Sequence, residues 1–102
     1  MKKIMLCCAA GLSTSMLMKK MRAEAETRGL EVQIEAFGAQ QFDEQAPNYQ
    51  VVLLGPQIKY MQADLKKRAE PLGIKVEAID MMDYGMQRAD KVLDFAFSLI
   101  ED

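Results

Sequence analysis

The sequence has no histidine, two cysteines and three prolines among 102 residues. The missing histidine removes every histidine-dependent catalytic triad, every imidazole metal site and every phosphohistidine carrier, so any nucleophile must be another side chain. The two cysteines are neighbours, Cys7 and Cys8. Adjacent cysteines rarely bridge, because the required geometry strains the backbone between them. Two thiols also cannot make a four-thiolate zinc site, and nothing here reads as a secreted disulfide scaffold, so a reducing cytoplasm is the expected setting. No apolar run approaches the roughly 20 residues a membrane helix needs, so the chain is not expected to insert in a bilayer. Met1-Lys2-Lys3 before Ile4 to Ala10 faintly resembles a short signal peptide, but a first buried strand is the better reading. No excess of positive charge is present either. The formal net charge is −2, which argues against non-specific nucleic-acid binding.

What is present is an ordinary globular composition, 50% hydrophobic and 27% charged, in a length that suits one domain over residues 1–102. Short apolar runs alternate with amphipathic ones. Lys3–Cys7 suits a buried strand. A helix is expected from Ser13, with Leu17, Met21 and Ala25 at four-residue spacing and Gly29 as a left-handed cap. Val32 and Ile34 alternate with polar residues, as on a strand at a sheet edge. Phe37 to Gln45 reads as a short helix. Val51–Leu54 is the most apolar strand and stops at Gly55-Pro56. Ile58, Met61, Leu65 and Ala69 form a helical stripe ending in Lys66-Lys67-Arg68, where cations suit the helix dipole. After the turn Pro71-Leu72-Gly73 come a strand over Ile74–Ile79, a loop over Asp80–Gly85 and a helix over Met86–Ile100. Alternating strands and helices imply right-handed crossovers and an α/β fold, a three-layer sandwich in which helices cover both faces of a four-stranded parallel sheet. The site of such a fold lies outside the carboxyl ends of the strands. Three segments meet there: Cys8 to Ser15, Gly55-Pro56-Gln57, and Asp80 to Gly85.

The first of these carries chemistry. Cys8, Ala9, Ala10, Gly11, Leu12, Ser13, Thr14 and Ser15 combine small side chains, a glycine with backbone freedom and three hydroxyls, and they run into a helix N-terminus. Successive N–H groups, hydroxyls and the helix dipole together suit an anion nest. A thiolate on Cys8 would be favoured by the same groups and could accept a phosphoryl group. The alternative is a buried small hydrophobe beside ordinary helix caps. Cys7 belongs to the strand and is expected in the core. Asp80 and Asp83 read as loop caps rather than acids. Core filling accounts for most of the nine methionines, while Met16, Met81, Met82 and Met86 could flank the cysteine loop as an adaptable contact patch. Tyr49, Tyr60 and Tyr84 indicate no site.

The loop resembles that of low-molecular-weight tyrosine phosphatases, which place Cys, five residues, Arg and Ser or Thr between a strand and a helix; here Thr14 and Ser15 stand at the last two places, so the arginine is missing. The chain more closely resembles the enzyme IIB component, lactose/cellobiose family, of the bacterial phosphoenolpyruvate-dependent sugar phosphotransferase system. The resemblance rests on Cys-x-x-Gly-x-Ser-Thr-Ser from Cys8 to Ser15, Lys20-Met21-Arg22, Glu35-Ala36, the run from Val51 through Gly55-Pro56-Gln57-Ile58, Ile79-Asp80 and Tyr84-Gly85. It implies the phosphatase-like fold and a phosphocysteine carrier. Cys8 would accept from a phosphohistidine on a IIA component and donate to a cellobiose-, β-diglucoside- or lactose-like sugar on the membrane IIC permease. Residues 9 to 15 would hold the phosphoryl oxygens, and no cofactor or metal would be needed. The protein would be cytoplasmic, held peripherally at the inner face of the membrane through IIC, and nothing demands more than a monomer. Rival readings are a small cysteine phosphatase or arsenate-reductase-like enzyme, which the missing arginine disfavours, and a non-catalytic module binding phosphate or thiophilic metals through Cys7-Cys8.

Overall fold

A computed structural model describes residues 1–9 and 14–101. The order is β1 (Lys2–Cys8), α1 (Ser15–Thr27), β2 (Val32–Gly38), α2 (Phe42–Gln45), β3 (Val51–Leu54), α3 (Gln62–Ala69), β4 (Lys75–Ala78), α4 (Met81–Gly85) and α5 (Ala89–Glu101). The four strands form one parallel sheet in the order β2-β1-β3-β4. Alternation along β1 and β3 sends side chains to two separate cores. Ile4, Leu6, Val51 and Leu53 pack under α1 and α5, against Leu17, Met21 and Leu93. Met5, Cys7, Val52 and Leu54 pack on the other face, against Phe42, Leu65 and Ala69. The expected three-layer sandwich is therefore what forms. The chain leaves β1 toward β2 on one side and returns to place β3 on the other, so the gap between the carboxyl ends of β1 and β3 is the topological switch point.

Several boundaries differ from the sequence reading. β2 is an edge strand as expected, but it runs to Gly38 and pairs with β1 along its whole length, Cys8 opposite Gly38. Phe37 therefore belongs to the strand and stacks edge-on to Tyr49 with ring centroids 6.0 Å apart; only Phe42–Gln45 of the expected Phe37–Gln45 helix is α-helical. Helix α3 starts at Gln62, because Pro56–Met61 is a 3-10 segment in which Ile58, at φ −116°, turns into the core. Asp80–Gly85 is not a loop: Met81–Gly85 is a short helix whose N-cap is Asp80. The last helix starts at Ala89 rather than Met86, since Gln87 takes φ +51° and breaks the path between α4 and α5. Gly29 adopts φ +70°, as expected of a left-handed cap, and Gly73, in the expected turn, adopts the same value. The cationic end of α3 is tied to its neighbours rather than only solvated: Lys66 pairs with Glu77, and Arg68 with Asp43 and Asp64.

Two of the quoted motif pieces have a structural role away from the switch point. Arg22 Nε donates to the Ile34 carbonyl at 2.9 Å, and its guanidinium pairs with Glu35 at 2.8 Å. Helix α1 is thereby strapped to the edge strand β2. Core filling does not account for the methionines as a set. Met5 and Met21 are fully buried, but Met1, Met16, Met81, Met82 and Met86 are exposed, and all of these except Met1 lie in α1 or in and just after α4.

Candidate functional site

Parity decides which cysteine faces what. Cys7 shares a face with Met5 and lies in the core under α2 and α3, whereas Cys8 is the last residue of β1 and falls on the face of Ile4 and Leu6, toward α1. The two thiols thus leave the strand on opposite sides, which removes the reading of Cys7-Cys8 as one metal-binding pair. Burial, reinforced by the charge of Cys8, pushes the Cys7 thiol up to about 11. It stays protonated and inert at neutral pH.

Cys8 is 1% exposed. Thr14 Oγ1 donates a hydrogen bond to Cys8 Sγ at 3.6 Å. Thr14 is the N-cap residue of α1, yet its side chain makes no capping bond, so the reading of this hydroxyl as an ordinary cap fails. It is fully buried, and its donor is aimed at sulfur at the position where the phosphatase pattern carries arginine. Ser15 opens α1, and Ala9 is the exposed residue that follows β1. Ala10, Gly11, Leu12 and Ser13 of the expected nest lie outside the described residues.

The turn after β3 closes the other side. Gly55 N donates to the Cys7 carbonyl at 2.8 Å, which continues the sheet ladder one step past β3. A side chain on Gly55 would place its Cβ 3.5 Å from Cys8 Cβ and 2.5 Å from Gln57 Oε1. Glycine here leaves room for the Gln57 amide to fold back over the turn. Gln57 Nε2 in turn donates to Tyr84 Oη at 3.2 Å, linking the β3 turn to α4. Sequence reasoning placed Gln57 and Tyr84 in two segments at the carboxyl ends of the strands but gave neither side chain a role.

The third segment arrives through Ile79 N, which donates to the Leu54 carbonyl at 2.8 Å. Asp80 then accepts from Met82 N and Asp83 N at 3.0 and 3.1 Å. Asp83 pairs with Arg88 at 3.7 Å. Asp80 thus caps α4, as the capping reading expects, whereas the Asp83 carboxylate is engaged by an ion pair with Arg88 and not by a cap. A groove of about 580 Å³ lies beside them between Pro56, Asp80 and Phe95. It flanks the free edge of β4, and Cys8 does not line it. Among the described residues no helix is long and apolar enough to cross a membrane, and no three potential ligand side chains gather to hold a metal.

Comparison with known proteins agrees with this architecture. Residues 3–95 match the family described as the lactose/cellobiose-specific IIB subunit of the phosphotransferase system. The oligo-beta-mannoside-specific EIIB component of Bacillus subtilis is 42% identical over 100 residues, covering 98% of this chain and 97% of that protein. The galactose-specific EIIB component of Lactococcus lactis is 41% identical over 104 residues, covering 97% and 96%. The solution structure of a cellobiose-specific phosphotransferase IIB component from Borrelia burgdorferi superposes with a TM-score of 0.82 at 34% identity, over 98% of this chain and 92% of that one. The chain belongs to the lactose/cellobiose family of phosphotransferase-system IIB subunits, and with it to the phosphotransferases of sugar uptake.

Proposed function

We propose that this subunit works as a phosphocysteine carrier through Cys8, in the cytoplasm, between a IIA component and a membrane IIC permease. In the first step the sulfur of Cys8 attacks the phosphorus of a phosphohistidine on IIA. The S–P bond forms as the N–P bond breaks, and the imidazole departs with the electron pair. In the second step a sugar hydroxyl held by IIC attacks the same phosphorus. The O–P bond forms, the S–P bond breaks, and the hydroxyl proton leaves to a base on the permease side. Such transfers pass through a loose transition state with charge on three equatorial oxygens, so the chain's task is positioning and electrostatic support. Backbone N–H groups and hydroxyls from Ala9 to Ser15 take that role, and the α1 N-terminus adds its partial positive charge.

The observation that carries this reading is the buried hydrogen bond from Thr14 Oγ1 to Cys8 Sγ. A donor aimed at sulfur favours the thiolate, which is both the attacking form and the form that leaves on the second transfer. The substitution of threonine for the phosphatase arginine explains a carrier's restraint. No cation clamps the equatorial oxygens for attack by water, and loss of such a cation costs several powers of ten in rate in related chemistry. The relatives named above act with oligo-beta-mannoside, galactose and cellobiose; the sugar here is a β-linked or galactose-type saccharide of that range. The test is incubation with a family IIA protein charged with radiolabelled phosphate, followed by mass spectrometry. Label on Cys8, discharged by sugar only when IIC membranes are added, is expected. Multiple-turnover hydrolysis of an aryl phosphate by the wild-type chain would overturn the carrier in favour of a phosphatase.

A further inference from the structure

We propose that the exposed face of the first turns of α1, carrying Met16, Lys19 and Lys20, is where the phosphorylated IIA donor docks, drawn in through its dianionic phosphoryl group. The inference rests on the phosphocysteine reading and adds to it a recognition surface outside the phosphoryl site. The first observation is position. Thr14, whose hydroxyl bonds Cys8, is the N-cap of α1. At about 1.5 Å per residue, Lys19 and Lys20 stand about 7 to 9 Å further along the helix axis. Leu17, Met21 and Ala25 turn into the core, while Met16, Lys19 and Lys20 are exposed. Their spacing, i, i+3 and i+4, puts them on one face. The second observation is charge order. Acids early in a helix and cations late suit both the macrodipole and the better order of i,i+4 pairs. Helix α1 reverses this: Lys19, Lys20 and Arg22 precede Glu24 and Glu26, with no acid in the first turn and no base in the last. Helix stability does not account for that order. The third observation is that these two charges are left over. All four arginines are in ion pairs: Arg22 with Glu35, Arg28 with Glu24 and Asp94, Arg68 with Asp43 and Asp64, and Arg88 with Asp83. Glu24, one turn beyond Lys20, is therefore already engaged, and among the described residues Lys19 and Lys20 have no ion-pair partner.

The chemistry of the donor matches this face. A phosphohistidine protein brings a dianion to the end of the sheet where α1 begins, and it must meet the rim of a sulfur that is itself buried. In water, a unit cation about 8 Å from a dianion strengthens association by about fivefold. That distance lies within a Debye length at physiological salt. Met16, 55% exposed, sets an apolar contact beside the two cations, and its unbranched thioether adapts to a partner's contour. After transfer the dianion sits on Cys8, and the two lysines are offset by a charge on their own chain. Their hold on the emptied donor weakens, so one surface serves both capture and release.

The experiment measures transfer to Cys8 from the cognate IIA protein charged with radiolabelled phosphate. Donor concentration is varied at about 0.01 M and about 1 M salt, where the Debye length falls from about 30 to about 3 Å. The proteins are wild type, the pair Lys19→Gln and Lys20→Gln, the pair Lys19→Arg and Lys20→Arg, Met16→Gln, and Lys67→Gln. Lys67 is an exposed cation in the last turn of α3, away from the site. Thermal unfolding checks that each is folded. The glutamine pair is expected to lose about tenfold in the second-order rate constant at low salt and to match wild type at high salt. Its rate at saturating donor is unchanged, because the lysines act on encounter and not on the reacting atoms. The arginine pair restores the wild-type rate. Met16→Gln loses about threefold at both salt concentrations, and Lys67→Gln stays within about twofold of wild type. A glutamine pair as fast as wild type at low salt overturns the docking face. An equal loss in Lys67→Gln also overturns it, since net charge alone would then be responsible. A defect confined to discharge by sugar on IIC membranes gives the face to the permease and overturns the proposal. So does loss of sedimentation with phosphatidylserine vesicles while donor transfer is intact, which gives the face to the membrane. Wild type that takes no phosphate on Cys8 overturns the carrier reading itself.

Discussion

Cys7 and Cys8 are joined by one peptide bond and live in different surroundings. Cys7 faces the core formed with α2 and α3, where burial pushes its thiol up to about 11. Cys8 faces the other way at the last position of β1 and accepts a hydrogen bond from the buried hydroxyl of Thr14. No difference in residue type separates them. The difference comes from strand alternation, which inverts facing at each step, and from where the sheet ends, which decides the step that meets a helix N-terminus and the β3 turn. The proposed nucleophile and the core thiol are thus set apart by position along a strand.

The sharpest way to break this contrast is to exchange the thiols for hydroxyls one at a time. Cys8→Ser is expected to abolish stable transfer from phospho-IIA, a loss of at least about a thousandfold by the general behaviour of removed nucleophiles. Cys7→Ser keeps most of the rate. Phosphate retained on the Cys8→Ser protein, or equal losses from both, would erase the distinction. A second approach titrates the inert thiol. Cys7 binds its proton more tightly folded than unfolded, so its contribution to stability is complete below the ordinary value of 9.0 and is lost as pH rises toward about 11. The stability advantage of wild type over Cys7→Ala should therefore shrink by about 2 to 3 kcal/mol across that interval. Denaturant melts at pH 8 through 11 read this directly, and a constant difference would mean that Cys7 does not feel its burial.

Thr14→Val tests the active side more gently, since it keeps shape and deletes only the donor to sulfur. Alkylation of Cys8 at fixed neutral pH, and phosphoryl acceptance, should each slow by about tenfold, the scale of one hydrogen bond to a charged group. The same assays on a Cys7→Ser background exclude any contribution from the core thiol. Unchanged alkylation would assign Thr14 to packing alone.

Much of this arrangement was legible in the sequence because it is local. Lys3–Cys7 and Val51–Leu54 are short apolar runs bounded by loop residues, and they give the central strands; Cys8 follows at the strand end by counting alone. Gly29 and Gly73 mark their turns for the same reason. What was not legible depends on distant partners. β2 continues through Phe37 and Gly38 because Cys7 and Cys8 pair with them; phenylalanine suits a strand, but glycine does not and is held there by its partner. Met81–Gly85 is helical because Asp80 caps it and α5 packs beside it, whereas five residues with acidic and glycine positions read as a loop. The link from Gln57 to Tyr84 spans 27 positions, beyond any local pattern.

Asp80 supplies the smallest and most discriminating test of the comparison, because it stands at the same end of the sheet as Cys8 and carries the one kind of group a phosphatase would use as an acid. Its oxygen accepts from Met82 N and Asp83 N, which occupies it as a helix cap. Asparagine caps a helix about as well as aspartate but cannot donate a carboxylic proton. Asp80→Asn should therefore leave both stability and phosphoryl transfer within about twofold of wild type. Asp80→Ala should cost about 1 kcal/mol of stability through the lost cap. A transfer rate that collapses in Asp80→Asn while the melting temperature holds would make Asp80 a proton donor. It would then join Cys8 in the chemistry instead of sharing the structural role of Cys7.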